Sequence, residues 1–167
     1  MVIPKIKIFA LYYDRFKSAT TSIELSKEKI HHTVLCHNNA EKFDCIGEYG
    51  NLIETGKPKG IGHNMNYALS QIQTDDWCIM VSDDYTRSYK LAGNKFSECS
   101  FGYIFEALFD IIKKMDSSGV KFIGLNVTGN PFYSKKKYSK YGLIDTRLCA
   151  IKKTPFEWDT EIQTIPD

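Results

Sequence analysis

Val81-Ser82-Asp83-Asp84 joins an unbroken apolar run, Trp77-Cys78-Ile79-Met80-Val81, to two adjacent carboxylates. In an open α/β sheet, ligands bind outside the carboxyl ends of the strands, so acids placed directly after a buried strand face the usual site. Two neighbouring carboxylates repel each other and lose hydration, costs that a hard cation such as Mg2+ or Mn2+ offsets by coordination. Side chains at i and i+1 point apart along a strand, so one acid would touch the ion while the other holds water, sugar or backbone. Asp84 is the first choice as metal ligand, with Asp83 beside it. The competing expectation is that both acids cap a turn and stay solvated. Asp75-Asp76 precedes the same strand and reads as an ordinary acidic turn at the opposite edge of the sheet.

A second constellation is Gly56-Lys57-Pro58-Lys59-Gly60-Ile61-Gly62, which leads into a helix carrying His63, Asn64 and Asn66. Backbone N–H groups at a helix start, together with Lys57 and Lys59, could hold a diphosphate. The segment is neither a Walker loop nor a GxGxxG fingerprint, and a plain glycine-rich lead into a helix is the alternative. Tyr12, Asp14 and Arg15 follow a first strand and could stack on and hydrogen-bond a nucleobase. Asp159 and Glu161 share a face if their segment is extended, where one could act as general base on an acceptor hydroxyl. His31, His32 and His37 have no supporting ligand spacing and read as satisfied surface or turn histidines. Lys135-Lys136-Lys137-Tyr138-Ser139-Lys140-Tyr141 suits either a phosphate backbone with a stacked base or a charged surface hairpin.

The elements that must position these groups follow from periodicity. Lys5 to Tyr12 reads as a strand with Ile6, Ile8 and Ala10 on one face and Phe9 and Leu11 on the other. Ser18 to Ile30 reads as a helix with Ala19, Ile23 and Ile30 as its stripe. Thr33 to Cys36 and Leu52 to Glu54 are short strands. Met65, Ala68, Leu69 and Ile72 lie at i, i+3, i+4 and i+7 of a helix. Phe101, Ile104, Phe105, Leu108, Ile112 and Met115 define the strongest helix, and Lys121 to Leu125 a further strand. A helix between two apolar strands is the pattern of a right-handed crossover. Tyr141 to Leu143 and Arg147 to Ile151 are expected as later strands around Asp145.

With 167 residues, 43% of them hydrophobic and 25% charged, the chain suits one ordered domain, residues 1–167. A net charge of +2 means that any nucleic-acid partner must be held by a local patch. Five scattered cysteines without a CxxC pair read as reduced thiols, and neither a signal segment nor an apolar span of membrane length is present. A cytoplasmic setting with no membrane partner is expected. The end at Pro166-Asp167, just after an incipient element, fits either a short protein or a truncated parent.

In this order, the Tyr-Tyr-Asp strand end, Pro58-Lys59-Gly60-Ile61-Gly62 with Asn66, the strand ending in Asp83-Asp84, and Phe156 to Ile162 resemble the glycosyltransferases of the GT-A fold. The likeness is greatest to the TET-associated group of phage and eukaryotic enzymes, associated with sugar transfer to hydroxymethylated bases in DNA. The resemblance implies an α/β, Rossmann-like, mostly parallel central sheet flanked by helices. It implies a nucleotide-sugar donor, uridine diphosphate-linked, a Mn2+ or Mg2+ ion on Asp84 and Asp83, and Lys59 and Asn66 at basic and amide positions of the phosphate loop. Asp159 or Glu161 would fall in the region that supplies the base, and a modified DNA base would be the acceptor. Two positions depart from the pattern: Ser82 stands where the first acid is usual, and Met65 where an arginine is expected. Two alternatives stand beside this reading, a nucleotidyltransferase releasing pyrophosphate and an inactive nucleic-acid-binding module.

Overall fold

The computed structural model describes residues 5–12, 19–37, 40, 46–56, 60–85, 87–126, 144–155 and 157–158. In chain order the elements are β1 (Ile6–Leu11), α1 (Thr20–Lys27), β2 (His32–Cys36), β3 (Gly50–Glu54), α2 (Ile61–Ser70), β4 (Trp77–Ser82), β5 (Ser88–Ala92), β6 (Lys95–Cys99), α3 (Phe101–Met115), β7 (Phe122–Asn126) and β8 (Ile144–Lys152). Six strands form one sheet in the order β3-β2-β1-β4-β8-β7, while β5 and β6 pair separately. The first four neighbours are parallel, and β8 runs antiparallel to both β4 and β7.

The sheet is covered on both faces, as a largely parallel sheet requires. Trp77, Ile79 and Val81 of β4, with Ile8 and Ala10 of β1, pack against Leu25 of α1 and the Phe101, Ile104, Phe105, Leu108 and Ile112 stripe of α3. Cys78 and Met80, with Phe9 and Leu11, pack against Met65, Ala68, Leu69 and Ile72 on the other side. Period-2 alternation in the strands and period-3.6 stripes in α2 and α3 therefore meet as the sequence implies. The cysteines Cys36, Cys78, Cys99 and Cys149 are free thiols. Burial pushes the Cys78 thiol well above its ordinary pKa, so it packs as a small hydrophobe.

Three expectations change. The first helix is shorter than Ser18 to Ile30 because Lys29 takes a positive φ of 55° and ends it, and its buried face is Thr21, Ser22 and Leu25 rather than Ile23. A helix does join the two parallel strands β4 and β7, but β8 lies between them, so they are not hydrogen-bonded neighbours. The strand expected at Arg147 to Ile151 starts earlier, within β8, and its pairing with β7 shifts register between Gly124 and Leu125. Residues 141–143 lie outside the described residues. The β5–β6 hairpin was not anticipated. Its signal is Gly93-Asn94, a two-residue loop with Gly93 at φ 63°, the type of connection whose hand matches strand twist.

Long-range lysines finish what local sequence leaves open. α2 has no basic residue in its last turn. Instead, Lys7 Nζ donates to the Gln71 carbonyl at 2.6 Å and Lys153 Nζ donates to the Leu69 carbonyl, placing cations at the negative end of the helix. At the same end of the sheet, Trp77 Nε1 donates to Asp116 Oδ1 at 2.8 Å, and Lys152 Nζ lies 2.8 Å from that oxygen. Asp75, in the acidic turn before β4, adds a contact to Lys152 at 3.4 Å. Lys152 is 6% exposed, so its charge depends on these partners. Hydrogen bonding to Lys152 and Trp77 holds the Asp116 carboxyl below its ordinary pKa, and hydrogen bonding to Asp116 raises Lys152.

The depressed Asp116 value makes its contribution complete above the ordinary aspartate range, and the contribution is lost as pH falls below about 4 toward the folded value. Asp116→Asn keeps an acceptor for Trp77 but leaves the Lys152 charge with the more distant, exposed Asp75 carboxylate alone. The expected cost is about 2 kcal/mol by urea unfolding at neutral pH, and a change within 0.5 kcal/mol, about the scatter of neutral surface substitutions, would show the pair to be idle.

Candidate functional site

β1 and β4 end side by side, with Leu11 opposite Ser82. The Asp83 N–H donates to the Leu11 carbonyl at 3.1 Å, so the chain leaves the sheet one residue later and turns at Asp83-Asp84. This turn changes the relation expected of the two acids. Ser82 Oγ lies 2.7 Å from Asp84 Oδ1 and 3.4 Å from Asp83 Oδ1, so both carboxylates gather on one hydroxyl. Asp83 is half-buried and Asp84 exposed. Two carboxylates and a hydroxyl are all-oxygen groups, the donor type that Mg2+ and Mn2+ prefer. Among the described residues, no group of three or more His, Cys, Asp or Glu is placed to hold a metal ion.

The turn is fastened from behind by α1. Thr21 Oγ1 lies 2.9, 2.8 and 3.1 Å from the carbonyl oxygens of Ser82, Asp83 and Tyr85, and its single proton serves one of the three at a time. The neighbouring Ser22 is a second junction. Its N–H, one of the first-turn donors that Ala19 leaves uncapped, donates to Tyr12 Oη at 3.2 Å. Its hydroxyl donates to His32 Nε2 at 2.6 Å and accepts from the Gly47 N–H at 3.1 Å. The His32 Nδ1–H then donates to the Ile30 carbonyl at 2.8 Å, which assigns the neutral tautomer. A Cβ on Gly47 would come within 2.0 Å of the Ser26 hydroxyl, so glycine alone permits this approach.

Tyr12 is 1% exposed, and its phenol is part of this buried network. Burial, with Asp83 nearby adding to it and the Ser22 N–H opposing it, pushes its pKa up to about 12. The ring offers no face to a nucleobase; it supports α1 and, through α1, the acidic turn. Burial likewise lowers the His32 pKa, with the Ile30 carbonyl opposing and His31 adding to the fall. Neither His32 nor His37 is a surface residue, since both are 5% exposed. A histidine at a strand end looks solvated in sequence until neighbouring strands and a helix close over it.

The glycine loop side is built by Asn64, which sequence reasoning left without a role. Its Nδ2 donates to the Tyr12 carbonyl at 3.2 Å, and its Oδ1 accepts from Thr55 Oγ1 at 2.6 Å. The start of α2 is thereby tied to the carboxyl ends of β1 and β3. Gly60, at φ 130°, precedes α2, and its N–H donates to His37 Nε2 at 3.4 Å. Asn66 is placed differently from the expected phosphate contact. Its amide donates to the Trp158 carbonyl at 2.9 Å and accepts from the Trp158 N–H at 2.7 Å, so a phosphate would have to displace both bonds. Asp14, Arg15, Lys57, Lys59, Asp159, Glu161 and the Lys135 to Tyr141 run lie outside the described residues.

A cleft of about 660 Å³ lies elsewhere, lined by Lys121, Phe122, Ile151, Thr154, Pro155 and Trp158. Phe122 pairs with Ile151, next to the Trp77–Lys152 end of the ladder, so this cleft is at the end of the sheet away from Asp83 and Asp84. Lys121 is its one charged side chain among those named.

Fold and site define a small α/β domain with a mixed, mostly parallel sheet flanked by helices, whose carboxyl edge carries a pair of gathered acids. No helix among the described residues is long and apolar enough to cross a membrane. Comparison with known proteins finds no matching family model, no matching curated protein and no matching solved structure.

Two measurements follow from the network. Thr21→Val preserves shape but removes the donor shared by three carbonyls; it should cost about 1–3 kcal/mol and speed amide exchange at Asp83 and Tyr85, and unchanged exchange there would rule out the clamp. Because the His32 pKa is lowered on folding, its contribution is complete above about pH 6.5 and declines as pH falls from there, when only the unfolded chain takes up the proton. His32→Gln should flatten the loss of urea stability between about pH 7.5 and 5.5; an unaltered slope would mean that this ring does not titrate on unfolding.

Proposed function

We propose that this domain is a divalent-metal-dependent glycosyltransferase of the GT-A type, acting in the cytoplasm on a nucleotide sugar. The observation that carries the reading is the convergence of the Asp83 and Asp84 carboxylates on the Ser82 hydroxyl, at the carboxyl end of a fully buried strand and beside the exit of β1. Ligands of open α/β sheets bind at that edge, and a nucleoside diphosphate with its counter-ion matches a charged, oxygen-rich site there.

Asp84 and Asp83 would hold Mn2+ or Mg2+, which supplies neutralisation of the negative charge that develops on a diphosphate leaving group. Asp14 and Arg15 are assigned to the nucleoside, and Lys57 and Lys59 to the phosphates. Tyr12 and Asn66, first considered for donor binding, instead hold α1 and the Trp158 segment. An acceptor hydroxyl oxygen forms a bond to the anomeric carbon as the bond from that carbon to the diphosphate oxygen breaks. Its proton passes to Asp159 or Glu161, and the anomeric configuration inverts. The acceptor favoured by the family resemblance is a hydroxymethylated base in DNA, extruded from a duplex or already single-stranded.

Calorimetric titration of the full chain with a panel of uridine, guanosine and other nucleotide sugars, with and without Mn2+, tests this reading. One donor should give metal-dependent heat, and Asp84→Asn should weaken that binding about 10-fold or more. A panel without metal-dependent heat, or an Asp84→Asn variant that binds as tightly as the native chain, would refute it.

A further inference from the structure

Phe122, Ile151, Pro155 and Trp158 form a concave apolar wall at the end of the sheet away from Asp83 and Asp84. The cleft they line holds about 660 Å³, within the span of roughly 300–1,000 Å³ that small-molecule sites occupy. One wall is fastened from α2. The Asn66 side chain holds the Trp158 backbone twice, donating to its carbonyl at 2.9 Å and accepting from its N–H at 2.7 Å. With that backbone held, the indole stands beside Phe122, ring centroids 6.5 Å apart and planes tilted by 58°.

Charge decides what such a cleft accepts. Successive side chains along a strand point to opposite faces, so the cations of β7 and β8 do not share a face with the apolar residues next to them. Phe122 and Ile151 pack in the layer beneath α2. Lys152, next to Ile151, instead lies 2.8 Å from the Asp116 carboxylate at the end of α3. Lys121, next to Phe122, acts on the same carboxylate: hydrogen bonding to Lys152 and Trp77 lowers the Asp116 pKa, and the Lys121 charge lowers it further. Lys153 donates to the Leu69 carbonyl and, with Glu157, lines a separate cleft of about 160 Å³ across the Thr154-Pro155 wall. An ion entering the larger cleft would lose hydration and gain no opposite charge from its apolar face. A neutral ring system loses only its contact with water, and finds two aromatic rings to pack on.

We propose that this cleft is a binding site for a small neutral aromatic compound, packed between Trp158, Phe122, Ile151 and Pro155. The site needs neither metal nor nucleotide sugar, so it stands independently of the transferase reading.

The test titrates the full chain with N-phenylnaphthylamine, a neutral probe whose emission rises in apolar surroundings, and with its anionic counterpart anilinonaphthalene sulfonate. The neutral probe should saturate at one per chain and bind at least about 5-fold more tightly than the sulfonate. Trp158→Ala should weaken it about 10-fold, whereas Trp158→Phe, which keeps a ring, should weaken it less than about 3-fold. Lys121→Ala should leave both affinities unchanged. Amide chemical shifts of the native chain, which need no variant, should move at Phe122, Ile151 and Trp158 and stay in place at Asp83 and Asp84. Tighter binding of the sulfonate, lost in Lys121→Ala, would make the site an anion's and overturn the proposal. So would uptake without saturation, native affinity in Trp158→Ala, or shift changes scattered away from the cleft. Self-association abolished by Trp158→Ala would make a second copy the occupant, and would overturn it too. Donor heat without probe binding would overturn this site alone, and probe binding without donor heat would overturn the transferase reading alone.

Discussion

β4 has no wet face. Trp77, Cys78, Ile79, Met80 and Val81 are each 0% exposed, enclosed by β1 and β8 in the sheet and by helices above and below. Burying each large side chain contributes roughly 1.5–3 kcal/mol, more than the roughly 1 kcal/mol net of a typical hydrogen bond, so this strand sets the frame and polar contacts adjust within it. A backbone so enclosed can turn polar only where its neighbours stop. On one side that point is Asp75-Asp76, and on the other it is Ser82-Asp83-Asp84.

The two acid pairs look alike in sequence and meet different fates. Asp75 lies in a turn at φ 71° and faces Lys152, whose buried charge already has Asp116 as its closer partner, so its environment is one of neutralisation. Asp83 and Asp84 gather on a hydroxyl instead, beside the end of a parallel neighbour. Strand direction makes the difference. The ends of β1, β2, β3 and β4 all open toward the same edge, and loops leaving them can converge there.

Side chains buried behind that edge carry no charge, yet they decide its shape. Thr21 holds the acidic turn, Ser22 and Tyr12 hold the start of α1, His32 holds Ser22, and Asn64 brings α2 to the exit of β1. Each is a polar group within an otherwise apolar layer, and each has at least one hydrogen-bond partner nine or more positions away. A stripe of hydroxyls on α1 therefore does what an apolar stripe does elsewhere: it fixes which face of the helix meets the sheet. The raised Tyr12 pKa and the lowered His32 pKa both keep this layer neutral at physiological pH.

Sequence alone determined the elements whose signals are local and repeated: the dry run of β4, the stripes of α2 and α3, the alternation of β1, and the acids that must surface at a strand end. Those follow because side-chain period is a property of the backbone, whatever lies around it. It was silent on β8 entering between β4 and β7, on the burial of Tyr12, His32 and His37, on the engagement of Asn66 by Trp158, and on the convergence of Asp83 and Asp84 upon Ser82. These depend on partners far along the chain, and an isolated residue carries no record of which strand will lie beside it. Tertiary structure decided them by closing layers over polar groups, each of which then had to find a hydrogen bond or remain at the edge in water.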